Sequence, residues 1–127
     1  MSSMQRWSIW AVYALAWTAA LLMPLPIHGE WRAGVGELEV NLRYLVAKAA
    51  HMSAYALLAI LTGWLRAPVR QRFLLMFLLM GHATLTELIQ EATSDIAGRT
   101  GELHDVGFDH LGIALGVMLS WKWWTQE

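Results

Sequence analysis

The sequence predicts an all-α protein set in a membrane, a bundle of four helices. Three observations predict it. Hydrophobic residues make up 57% of the chain and charged residues 15%, against about 45–50% and about 25% in a soluble globular domain. The charges are also crowded. Six of the ten acids (Glu87, Glu91, Asp95, Glu102, Asp105 and Asp109) fall between positions 86 and 110, and long apolar runs are left almost free of charge. Finally, many of the eight tryptophans sit at the ends of those runs: Trp7, Trp10, Trp64, Trp121, Trp123 and Trp124. An amphipathic ring favours the boundary between membrane and water.

A membrane-spanning helix needs about 20 mostly apolar residues. The first candidate covers about 7–23 and is closed by Pro24 and Pro26, which cannot extend a helix. Arg6 ahead of an apolar core also resembles the start of a signal peptide. The apolar run is long for the core of a signal peptide, so the segment is expected to remain as a helix. The second span covers about 44–65, interrupted by Lys48 and His51 one turn in. The third covers about 71–90, with its apolar centre from Phe73 to Leu85. The fourth covers about 106–124 and carries Asp109 near its start. A chain of 127 residues divided this way is one domain.

Cytoplasmic loops carry an excess of Lys and Arg. The link between spans two and three holds Arg66, Arg70 and Arg72 and no acid. Four spans bring both termini to that side, with Arg6 and Lys122. The expected location is therefore a cytoplasmic membrane, with both termini inside. A net charge of −1 gives no basic field for nucleic acid. The chain has no Cys, hence neither disulfides nor thiolate chemistry.

This topology gathers polar residues at the outer face. Lys48 and His51 lie at the outer end of span two, and Glu87 and Gln90 at the outer end of span three. Arg99, Glu102, Asp105 and Asp109 lie on the last outer loop or the start of span four. Lys48, His51 and Tyr55 share a helix face by their three- and four-residue spacing. Asp105, Asp109, Gly112 and Gly116 fall on one stripe of span four. The small-residue pair Gly112-x-x-x-Gly116 lets a neighbouring helix approach closely, so the acidic end of the stripe points at that helix. An ion at mid-bilayer costs about 2.5–3.5 kcal/mol on insertion scales. Glu87 also sits in a last helical turn, where the macrodipole disfavours an anion. It needs a cation or donors; Lys48, His51 and Arg99 are the candidates.

Several of these residues have ordinary explanations too. Asp105 at a helix start can cap backbone N–H groups. Lys48 can extend its ammonium to the interface. His51 can be a hydrogen-bonded interhelical residue, and His82, in mid-span, can bond Thr86 or another helix. Glu91, Asp95 and Glu102 read as solvated loop charges. His51, His104, His110, Asp105 and Glu87 could ligate a metal, but no HExxH, paired-Cys or EF-hand pattern is present. No metal or other cofactor is expected.

Taken together, Lys48-x-x-His51-x-x-x-Tyr55, Thr86-Glu87-x-x-Gln90, Gly98-Arg99-x-Gly101-x-x-x-Asp105-Val106 and Gly112-x-x-x-Gly116 resemble the VanZ-like family in order, spacing and placement on successive spans. The resemblance covers about residues 44–120. It implies a small polytopic membrane protein, mainly bacterial, whose founding member is linked to resistance to the lipid-tailed glycopeptide teicoplanin. It points to His51, Glu87, Gln90, Arg99 and Asp105 as signature positions. One departure is Asp109, where the family often has Asn; it adds a charge to the cluster.

Three functions follow as expectations. In the first, the cluster binds a lipid headgroup, a lipid-linked wall precursor or a lipoglycopeptide. Arg99 grips a phosphate or carboxylate, His51 and Gln90 donate hydrogen bonds, and Glu87 and Asp105 hold Arg99 and His51 in place. Lys48, Tyr55 and Asp109 complete the ligand-binding set. In the second, the protein is a membrane hydrolase or transferase in which His51 with Glu87 or Asp105 supplies general acid and base. In the third, the polar residues lock the helices together and a partner protein carries the function. The sequence leaves open the ligand, any reaction, and whether the chain forms an oligomer.

Overall fold

A computed structural model of the chain describes residues 1–22, 37–92 and 103–126, with the side chains of 37–45, 47 and 103–105 left out. The described residues form helices and short connections, with no strand among them. The elements are α1 (Ser3–Leu22), α2 (Glu37–Trp64), α3 (Val69–Ala92), α4 (Leu103–Leu119) and a short α5 (Trp121–Thr125).

The helices run up and down in sequence. Trp10 Nε1 donates to Thr62 Oγ1 at 2.8 Å and Tyr13 Oη to the Ala54 carbonyl at 3.0 Å. As α1 advances its partners on α2 fall in number, so the two are antiparallel. Residues 18 and 21 of α1 meet 82 and 90 of α3, a parallel pair. The most extensive pairing is α2 with α4. There Gly112 lies against Met52, and Gly116 against Ala56 and Ala59, so these helices are also parallel. A Cβ on Gly112 would stand 2.9 Å from Met52 Cα, and one on Gly116 2.8 Å from Ala59 Cβ. Both are inside van der Waals contact, so the absence of side chains is what lets the two backbones meet.

Two expected boundaries and one expected exposure shift. α2 begins at Glu37, a full two turns before the apolar run, because Glu37-Leu38-Glu39 are adequate helix formers that extend the helix past its apolar part. The fourth expected span is divided at Ser120, which leaves helical geometry at φ −111°, ψ 23°. Its hydroxyl donates to the Gly116 carbonyl at 2.6 Å, local competition that disturbs a helix. Trp124, expected at the membrane boundary, is instead fully buried. Its indole packs on Gly63, where a Cβ would come within 2.8 Å of it.

The core joins Leu21, Tyr55, Leu58, Ala59, Leu79, Ala83, Ile113, Val117 and Trp124. It is thin for so apolar a chain. Leu74, Phe77, Leu78, Leu85 and Leu88 of α3 and Leu111, Leu115, Met118 and Leu119 of α4 all face outward. Among the described residues, α3 is the one helix long and apolar enough to cross a membrane, at a mean hydropathy of 1.5. The expectation of four such spans goes further than this. α4 is short at 17 residues, and α1 carries Arg6, Trp7, Trp10, Tyr13 and Trp17, which lower its hydropathy.

Candidate functional site

The packing brings His51, Tyr55, Glu87, Gln90 and Asp109 to the end of the bundle away from the first and last described residues. Gly112 and Gly116 fix how α4 is rotated against α2, and Asp109 lies one turn before Gly112 on the same stripe. Asp109 is therefore carried into the α2 interface, where it is 1% exposed. Its Oδ1 accepts from His51 Nδ1 at 3.2 Å. Using Nδ1 this way turns Nε2 of the ring toward other groups. The His51 side chain is 20% exposed, so the pair is reached from one side only. Trp17 stands edge-on to both His51 and Tyr55, with ring centroids 5.5 and 5.8 Å apart, and closes the α1 side.

Below this pair lies a second polar layer. His82 Nε2 is 2.7 Å from Thr18 Oγ1, and His82 Nδ1 is 3.1 Å from Tyr55 Oη. The Thr18 hydroxyl is already committed as donor to the Ala14 carbonyl at 2.7 Å. It must therefore accept from His82 Nε2–H, which leaves Nδ1 of the neutral ring to accept from the Tyr55 hydroxyl. One directional chain thus runs Tyr55, His82, Thr18, Ala14 across α2, α3 and α1. Thr86 returns its own hydroxyl to the His82 carbonyl at 2.9 Å. On the far side of α4, His110 Nε2 lies 3.1 Å from the Met80 carbonyl, a tie to α3.

Glu87 is buried at 2% exposure and Gln90 at 5%. Gln90 Nε2 donates to the Leu21 carbonyl at 2.6 Å, satisfying a carbonyl that the end of α1 leaves without a helical partner. Tyr55 Oη also lies 3.4 Å from Thr86 Oγ1, on the residue next to Glu87. Lys48 lies one turn beyond His51, half-buried. Arg99 and Glu102 lie outside the described residues, as does the side chain of Asp105.

The sequence paired His51 with Glu87 or Asp105; the side chain of Asp105 lies outside the described residues, and a carboxylate that His51 does meet is Asp109, read from the sequence as an added charge. The reason is rotational: the close Gly112–Met52 contact aims position 109 at position 51. Sequence reasoning missed Trp17 and Thr18 as walls of the site. Their signal was an aromatic and a hydroxyl within the first apolar run, which composition alone assigns to packing. His82 forms the expected interhelical bond, though with Thr18 and Tyr55. Thr86 meets His82 through the His82 backbone carbonyl.

Chemically the site offers a half-open imidazole oriented by a buried carboxylate, a second buried carboxylate, a phenol and an amide, all within apolar walls. Among the described residues, no group of three or more His, Asp and Glu is placed to hold a metal. The sequence matches no family model, and no curated protein or solved structure matches the chain.

Proposed function

We propose that the chain is an integral membrane protein of four spans that binds the polar head of a lipid, a lipid-linked envelope precursor or a lipoglycopeptide at this cluster. The observation that carries the reading is the hydrogen bond of buried Asp109 to His51, with Glu87 buried on the neighbouring α3. Burying a carboxylate costs free energy that apolar residues of the same volume would not. Ionisable groups kept inside an apolar bundle therefore point to a task beyond holding helices together. The outward-facing Leu and Phe side chains of α3 and α4 support the membrane setting, since soluble proteins rarely expose contiguous apolar surface on this scale.

In this reading the arginine-rich end lies in the cytoplasm, and the cluster opens to the outer face of a bacterial cytoplasmic membrane. Lys48, His51, Tyr55, Glu87, Gln90 and Asp109 bind the ligand, and Arg99 and Asp105 complete the set. The resemblance to the VanZ-like family makes teicoplanin a reasonable ligand to try, and resistance to it a consequence to look for. The test is binding to chain reconstituted in lipid nanodiscs. Teicoplanin or a polyprenyl-linked precursor should bind, and His51→Ala should weaken it at least tenfold with the melting temperature nearly kept. Unchanged binding in His51→Ala overturns the ligand-binding role of His51.

A second reading is favoured by one feature, the orientation of His51 by Asp109. A carboxylate that fixes an imidazole through Nδ1 and leaves Nε2 for proton transfer is the arrangement of a general base. A hydrolase or transferase acting on a lipid-linked substrate would lose turnover in His51→Ala while retaining substrate binding, the reverse of the first outcome.

A further inference from the structure

At the opposite end of the bundle is a cavity of about 320 Å³ whose lining includes Arg6, Trp64, Arg66, Arg72 and Trp123. It lies about 20 Å from the His51–Asp109 pair, taking the thirteen residues of α2 between His51 and Trp64 at a rise of about 1.5 Å each. Three guanidinium groups from three segments therefore share one cavity, and no acid lines it among the described residues.

The arginines are held by neutral groups. Arg6 donates through Nη1 to the Trp64 carbonyl at 2.8 Å and stacks over the Trp64 ring at 4.9 Å. Arg72 donates through Nη2 to the Gln126 carbonyl. Arg72 is 3% exposed, yet its Nε is buried with no hydrogen-bond partner. Among the described residues Arg72 meets one carbonyl and no anion, and a buried guanidinium without a counter-charge is costly. An oxyanion in the cavity would supply what is missing, because the planar fork of arginine matches phosphate geometry.

Next to this cavity is a second, of about 520 Å³, whose lining includes Ile60, Met118, Leu119, Trp121 and Lys122. The two share Trp123. A cationic chamber joined to an apolar groove matches a molecule with a phosphate at one end and an alkyl chain at the other. We infer that this end of the protein is a binding site for the phosphate of an anionic membrane lipid, with part of its acyl chain along the Ile60–Met118 groove. The lipid source rests on the membrane reading above; the phosphate chemistry rests on the arginines alone.

The experiment uses the full chain in a neutral detergent, titrated with phosphatidylglycerol, phosphatidylcholine and inorganic phosphate and read by thermal shift and native mass spectrometry. Phosphatidylglycerol should bind at least tenfold more tightly than phosphatidylcholine and raise the melting temperature. Arg66→Gln should weaken it severalfold and Arg72→Gln at least tenfold. Arg70→Gln removes the same charge from a neighbouring exposed position outside the cavity and should leave the affinity within twofold of the parent. If Arg72→Gln fails to fold, Arg6→Gln with Arg66→Gln carries the test.

Equal losses in Arg66→Gln and Arg70→Gln would mean diffuse surface attraction and overturn the site. Equal binding of inorganic phosphate and phosphatidylglycerol would overturn the lipid assignment. None of these outcomes depends on His51, so failure here leaves the proposal for the other end untouched.

Discussion

Substituting Gly116 by Ala tests the joint that builds the candidate site. The added Cβ would stand 2.8 Å from Ala59 Cβ and 2.9 Å from the Ala56 carbonyl carbon. Carbon atoms settle at about 3.5–4.0 Å, so α2 and α4 must part by roughly 1 Å. One of the obstructing groups is backbone, and no side-chain rotation relieves it. Overpacking of this kind costs about 1–3 kcal/mol. The same movement stretches the His51–Asp109 contact from 3.2 Å beyond hydrogen-bonding range, forfeiting a charge-assisted bond of about 1.5–3 kcal/mol. The combined loss is roughly 3–5 kcal/mol. Gly81→Ala is the control, because nothing lies within 4 Å of a Cβ there and alanine is the better helix former. Equilibrium unfolding in mixed micelles should rank Gly81→Ala at or above the parent and Gly116→Ala far below it. Equal stability of the two variants would refute the close approach, and with it the rotation that places Asp109.

Other substitutions separate the layers of the cluster. Tyr55→Phe removes one hydroxyl from a fully buried ring and leaves His82 Nδ1 without its donor; a loss of about 1–3 kcal/mol is expected in chemical unfolding. Asp109→Ala leaves His51 without its carboxylate and should cost more than Asp109→Asn, whose amide oxygen still accepts from Nδ1; melting temperatures of the two variants give the order. Gln90→Leu keeps the volume but frees the Leu21 carbonyl, and faster proteolysis near the end of α1 is the expected readout. Thr62→Val takes the acceptor from Trp10 Nε1, and the tryptophan emission of the folded protein should shift as that indole loses its bond.

The sequence made the helices and the polar end legible, because apolar length and charge crowding are properties of single segments. Gly112-x-x-x-Gly116 could also be read as a contact, since small residues at that spacing have one main use in an apolar helix. What it contacts could not. Asp109 and His51 are 58 positions apart, and which carboxylate meets the imidazole depends on how α4 is turned about its axis. That angle is set jointly by Gly112, Gly116 and the small residues of α2. Thr18 stayed hidden for a similar reason: its partner His82 lies on a helix brought alongside only by the fold. The arginines were read for topology, as a count on one side. Their convergence needed α1, α3 and the turn at Arg66, where φ is 57°, to be placed around one cavity. The ends of α2 and the division at Ser120 escaped because hydropathy marks where a helix is apolar, not where its backbone bonds stop.

The central claim is that Asp109 holds His51 inside the bundle within a lipid bilayer. Solid-state NMR on lipid-reconstituted protein, with ¹⁵N-labelled histidine and ¹³C-labelled aspartate, measures this directly. A through-space correlation between His51 Nδ1 and Asp109 Cγ, lost in Asp109→Ala, is the predicted result. A His51 ring that shows no such correlation and exchanges freely with bulk water would contradict it.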